Sequence, residues 1–128
     1  MTEPAGYTPR EKAEVKQVAK AVVWAQRELE LSDAELGQAF GGVSTRTVAR
    51  WREQVQRPHP PAVITAETLL ALAHATHVVF GEDRDRMQAW LHEPVPALRG
   101  RTPIRLIANG EAAKVVTLLA NIDAGIFA

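Results

Sequence analysis

Trp90-Leu91-His92-Glu93-Pro94-Val95-Pro96-Ala97-Leu98-Arg99-Gly100-Arg101-Thr102-Pro103 packs a helix end, a double-proline loop and a helix start into one short stretch. Pro94 stops the helix carrying Trp90 and Leu91, because proline has no N–H to donate and its ring collides with the preceding turn. Thr102-Pro103 reads as an N-cap followed by the first helical residue, where a missing N–H costs nothing. Two helices must meet here at a rigid corner.

Outward from that corner the same grammar repeats. Thr8-Pro9-Arg10-Glu11 is a capping box with proline at the first helical position. Val15, Val18, Val22, Ala25 and Leu29 follow at spacings of three and four, so the pattern predicts a helix over about 9–30. Ser32 and Glu35 start a second helix, which runs to Phe40 and breaks at Gly41-Gly42. Ser44 caps a third, carrying Val48 and Trp51. Arg57-Pro58-His59-Pro60-Pro61 is expected to be a non-helical crossing, with Thr65 capping a fourth helix through Leu69, Leu70, Leu72 and Ala73 to Gly81. Shorter helices are expected at about 83–92, 103–108 and 111–122. No stretch alternates with period two, so the predicted class is all-α.

Composition narrows the function. Hydrophobic residues make up 46% and charged residues 23% of the 128, a globular balance rather than a disordered one. The absence of cysteine excludes disulfides and thiolate zinc sites. A net charge of zero argues against a general polyanion binder, yet Gly42 to Arg57 holds Arg46, Arg50, Arg52 and Arg57 against Glu53 alone. The first residues lack the basic-then-apolar order of a secretory signal, and no uncharged apolar run approaches the ~20 residues that span a bilayer. A cytoplasmic protein with no membrane partner is expected. His74 and His77 lack a third ligand, so no metal is expected. Glu82, Asp83 and Asp85 suit a helix start, with Arg84 and Arg86 as a solvated face. With no phosphate-binding glycine loop and no nucleophile elbow, neither a cofactor nor an enzymatic role is expected.

Leu31 to Arg52 has the pattern of a helix-turn-helix. Leu36 and Phe40 face inward on the first helix, Gly37 stands where the helices must approach, Gly41-Gly42 turns the chain, and Val43, Val48 and Trp51 seat the second helix. Thr45, Arg46, Ala49 and Arg50 are left on its outer side. Arg46 and Arg50 are candidates for reading guanine edges, and Ser44, Thr45 and Arg52 for phosphate contacts. The bland alternative is a structural hairpin with solvated arginines.

The C-terminal stretch resembles the toxin-binding domain of the Xre/MbcA/ParS antitoxin family in Trp90-Leu91, Pro94, Leu98, Gly100-Arg101-Thr102-Pro103, Gly110, Val115, Leu118-Leu119 and Gly125. The match runs from about residue 78 to the end, with Arg99 standing where the family pattern suggests glycine. The helix-turn-helix segment resembles the Xre-type DNA-binding half of the same family. The resemblance implies a helix-turn-helix domain over 1–62 and a compact helical toxin-binding domain over 63–128. It implies a type II antitoxin with two partners, a RES/ParT-type toxin that consumes NAD or transfers ADP-ribose, and operator DNA. A homodimer assembling into a higher-order toxin–antitoxin complex is expected, with Val23 and Trp24 as a candidate dimer surface. Implied toxin-binding residues are Trp90, Leu98, Arg99, Gly100, Arg101, Thr102, Pro103, Gly125, Ile126, Phe127 and Ala128. On a face with Met87 and Leu91, Trp90 reads more readily as core than as an interface anchor. Ile126 and Phe127 either reach into the toxin's NAD pocket or fold back on their own core. Arg101 has no buried partner by spacing and is expected at the surface, holding the toxin or loop carbonyls. The alternatives are a stand-alone transcriptional regulator and a toxin inhibitor without DNA binding.

Overall fold

The computed structural model describes residues 6–125. They form seven α-helices: α1 (Pro9–Glu28), α2 (Asp33–Ala39), α3 (Thr45–Arg52), α4 (Pro60–Phe80), α5 (Arg84–Leu91), α6 (Pro103–Ala108) and α7 (Ala112–Asp123), with a 3-10 turn at Pro96–Leu98. The all-α expectation holds. Among the described residues the sole β pairing is an isolated bridge between Val95 and Arg101.

Local chemistry sets most of the boundaries. Thr8 and Ser32 both make the reciprocal capping box, each side chain accepting from the backbone N–H of the third helical residue while Glu11 or Glu35 reaches back. Ser44 caps α3 by accepting from Thr47 N at 3.1 Å. One boundary differs from the expectation. Pro60 and Pro61 are not a crossing; they are the first two residues of α4, and Thr65 lies inside it. First-turn N–H groups have no intrahelical acceptor, so two prolines there forfeit nothing. His59, held extended by the following proline, is the cap, its Nδ1 accepting from Ala62 N at 3.0 Å.

α4 is the axis of the molecule. It packs against α1 on one side and α7 on another, with α5 at its C-terminal end; α3 lies on α1 and α2, and α6 bridges α2 and α7. A single core results, running from Val22, Leu36, Val48 and Trp51 through Leu69 and Leu72 to Leu91, Leu106 and Leu119. The expected boundary at 62/63 falls in the first turn of α4. Trp51 is edge-on to Phe40 at 5.1 Å and to His59 at 5.4 Å, and its buried Nε1 has no hydrogen-bond partner among the described residues. α5 also caps α1. Arg84 donates to the carbonyl of Arg27 at 2.6 Å and Gln88 to that of Glu28, so Arg84, exposed as expected, is also a structural contact.

By length and composition α4 is apolar enough to cross a membrane, although Glu67 interrupts it, so it is not the uncharged run whose absence was expected. The central helix of a packed core meets the same criterion, and Ala62, Val63, Ala66, Leu69, Leu72, Thr76 and Phe80 are buried. Only a third of its most apolar window is covered, however.

Candidate functional site

Two surfaces collect the residues singled out from sequence. The first is the outer face of α3. Gly37 permits the approach that builds it: a Cβ there would stand 2.3 Å from the carbonyl oxygen of Val43. The Gly37 carbonyl accepts from Gly42 N at 2.9 Å and Val43 N at 3.0 Å, closing the turn. Gly41 and Gly42 take φ of +92° and +97°, which side chains rarely adopt. Val48 and Trp51 are buried beneath α3, while Ser44, Thr45, Arg46 and Arg50 are exposed and Ala49 is half-buried.

Arg52 does not stand free beside them. Its Nη1 donates to Asp33 Oδ1 at 2.8 Å and to Gln26 Oε1 at 2.7 Å, and Gln26 Nε2 donates to Asp33 Oδ1 at 2.6 Å. This node ties the ends of α1, α2 and α3 together. The Arg52 hydrogen bond is the main cause holding the Asp33 carboxyl below its usual range, opposed by desolvation and aided by Gln26. The same bond raises Arg52. Arg57 likewise pairs with Glu11 at 2.5 Å. Counting those two acids, the arginine-rich patch falls from +3 to +1. Arg46 and Arg50 are the outward-facing cations that remain.

The second surface is the corner between α5 and α6. Leu91 is buried, and Trp90 is half-buried with its ring 5.7 Å from that of Phe80. Val95 N donates to the Arg101 carbonyl at 3.1 Å and Gly100 N to the Val95 carbonyl at 3.0 Å, so the loop closes on itself around the buried Leu98. Arg99 sits at φ +58°, ψ +37°, the left-handed region that suits glycine. Arg101 is pinned: Nε donates to the Leu98 carbonyl at 3.2 Å and Nη1 to Glu111 Oε2 at 3.1 Å. Of its two expected roles, holding the loop carbonyls is the one observed. Lys114 completes the group at 2.7 Å from Glu111 Oε1 and is the main cause of the lowered Glu111 carboxyl. Thr102 caps α6, accepting from Arg105 N at 3.3 Å, and Pro103 is buried.

Leu98, Arg99 and Arg101 thus meet, with Ala97, Glu111 and Lys114, around an open cleft of about 730 Å³. Three cations face one carboxylate there, a surface suited to an anionic partner. Gly100 adjoins it. Trp90 does not line it, and neither does Gly125, which lies past the opposite end of α7, roughly 20 Å from Glu111 at 1.5 Å per residue. Ile126, Phe127 and Ala128 lie outside the described residues. Sequence reading missed the Gln26–Asp33–Arg52 node and the Arg101–Glu111 pair, whose members come from separate segments and leave no local pattern. Among the described residues no group of three or more His, Cys, Asp or Glu side chains is arranged to hold a metal.

The family described as the antitoxin Xre/MbcA/ParS C-terminal toxin-binding domain matches residues 74–125. No curated protein sequence matches the chain. Among solved structures, a chain in the M. tuberculosis MbcT–MbcA toxin–antitoxin complex is similar, with 28% identity and a TM-score of 0.56 over 87% of this chain and 97% of that one. The matched segment contains the whole α5–α6 corner and α7, and the structural likeness extends it through most of the molecule. The chain is thus similar to the Xre/MbcA/ParS antitoxins, most directly over the toxin-binding segment at 74–125.

Proposed function

We propose that this antitoxin binds a co-encoded RES/ParT-type toxin, covers its NAD pocket without doing chemistry itself, and represses its own operon through α3. The observation that carries the reading is the cationic cleft of Arg99, Arg101 and Lys114, inside the segment matched to a toxin-binding domain. Three cations against one carboxylate answer acidic groups on the toxin beside its NAD pocket, rather than the groups that hold the NAD phosphates. The separation of Gly125 from the cleft gives the toxin contact two ends, loop and tail, along the length of α7. The protein acts in the cytoplasm as a homodimer that joins its toxin in a larger assembly.

The deciding assay is NAD consumption by the partner toxin with and without this chain. Inhibition that saturates at a fixed stoichiometry supports the reading, and consumption unaffected by the chain refutes it. A second reading, inhibition without operator binding, is favoured by the internal pairing of Arg52 and Arg57, which halves the number of free arginines in the patch. A gel shift with operator DNA at low salt separates the two.

A further inference from the structure

α4 carries more apolar surface than its own chain covers. Its outer side presents Ile64 (64% exposed) and Val78 (46% exposed), two of the four large hydrophobic residues exposed in the described chain. Between them lie Thr68, Ala71 and Ala75. The positions 64, 68, 71, 75 and 78 alternate spacings of four and three, the heptad seam by which one helix packs along another. The seam is large at both ends and small in the middle, so a second helix can approach closely at Ala71. It is flanked by Glu67 and His74, both exposed.

We infer that this face pairs with the same face of a second copy, antiparallel, with the two-fold axis at Ala71. That register sets Ile64 of each copy against Val78 of the other. Beside Val78 lies a groove of about 300 Å³ between α4 and α7, lined by Ala71, Ala75, Val79, Val116 and Ala120 among others, which receives the incoming Ile64. Knob and hole therefore sit on one surface, as an isologous interface requires. Charge selects the direction. Antiparallel pairing brings Glu67 alongside His74 of the second copy, and an imidazole offers an N–H to a carboxylate whether charged or neutral. Parallel pairing would set Glu67 on Glu67 and His74 on His74. The rival dimer surface on α1, at Val23 and Trp24, borders a groove also lined by Lys16, Lys20 and Arg27 against Glu28, so a symmetric contact there would bring mostly like charges together. A bilayer would have to take the carboxylate of Glu67 and the imidazole of His74. The inference deepens the homodimer of the proposed function and is independent of how the toxin is held.

The chain has no cysteine, so single-cysteine variants report one site each. Ala71→Cys in the full-length protein is expected to give a disulfide-linked dimer on mild oxidation, and Val23→Cys none, because a disulfide needs the two Cβ atoms within about 4.5 Å. In sedimentation velocity, Ile64→Glu should raise the dimer dissociation constant at least tenfold with helical content unchanged by circular dichroism. His74→Glu alone should weaken the dimer, and combining it with Glu67→His should restore it. A monomer at every concentration, cross-linking through Val23→Cys instead, or a dimer indifferent to His74→Glu would overturn the inference. So would Ile64→Glu that abolishes toxin inhibition but leaves self-association intact, since the face would then belong to the toxin. Loss of the dimer with inhibition retained supports the interface and leaves the toxin reading standing separately.

Discussion

Gly37→Ala sets two forces against each other at a place where the structure says which is larger. In an unconstrained helix interior this change stabilises by about 1 kcal/mol, because alanine loses less backbone freedom on folding. Here the new Cβ would lie 2.3 Å from the Val43 carbonyl oxygen, about 1 Å inside an ordinary contact. That oxygen is backbone, and its turn is fastened to Gly37 itself by the Gly42 and Val43 hydrogen bonds. Relief requires α2 and α3 to part, at the cost of overpacking strain of ~1–3 kcal/mol and weakening of two bonds worth ~0.5–1.5 kcal/mol each. After subtracting the propensity gain, a net loss of about 2 kcal/mol remains, roughly a 6–10 °C fall in Tm for a chain of this size. Urea unfolding of Gly37→Ala beside Gln38→Ala, an exposed neighbour on the same helix expected within ~0.5 kcal/mol of the parent, measures it directly. A midpoint for Gly37→Ala equal to or above the parent's would refute the close approach and the turn geometry built on it.

Arg46→Ala with Arg50→Ala should abolish operator binding without altering helical content, each lost bidentate base contact costing ~1–3 kcal/mol of discrimination; equal affinity for wild-type and double variant in a gel shift would end that assignment. Because the folded Asp33 carboxyl lies below its usual range, its contribution to stability is present above about pH 4 and is lost as pH falls through the folded value, so Asp33→Asn should flatten the acid limb of a stability–pH profile. With Arg52 and Asp33 each about a third exposed, the effect should stay below ~1 kcal/mol. Arg99→Gly removes a left-handed strain of ~1–2 kcal/mol and adds a glycine entropy cost of ~0.5–1 kcal/mol, so Tm should rise slightly while toxin affinity falls; a lowered Tm contradicts the loop geometry. Removing residues 125–128 should weaken toxin inhibition more than it lowers Tm, and unchanged inhibition would exclude the tail from the contact.

What the sequence made legible was whatever physics completes within a turn or two of the chain. The capping boxes at Thr8 and Ser32 need residues only three apart, and the Gly37 approach, the glycine turn and the buried Val48–Trp51 pair all follow from helical spacing within one hairpin. Pro60 and Pro61 misled because proline was weighed as a breaker, when in the first turn of a helix it is neutral and the histidine before it can serve as the cap. Arg52 and Arg101 were half legible for a different reason. Asp33 and Glu111, with which they pair, lie 19 and 10 residues away, and ion pairing across tertiary contacts has no period to detect. The loop of the candidate site was therefore readable, while the electrostatics of both surfaces had to await the fold.

α4 belongs to both halves of the molecule, since it contributes Ala66 and Leu69 to the same core that holds Trp51 and Leu119. Stability gained at one end is then shared by the other. A ligand bound at a hundred times its dissociation constant adds about 2.7 kcal/mol to the folded state of everything that unfolds with its site. Engagement of the α5–α6 corner would therefore shield the helix-turn-helix from proteases as well as the corner itself, and an unliganded chain would be degraded whole rather than trimmed to a surviving DNA-binding fragment.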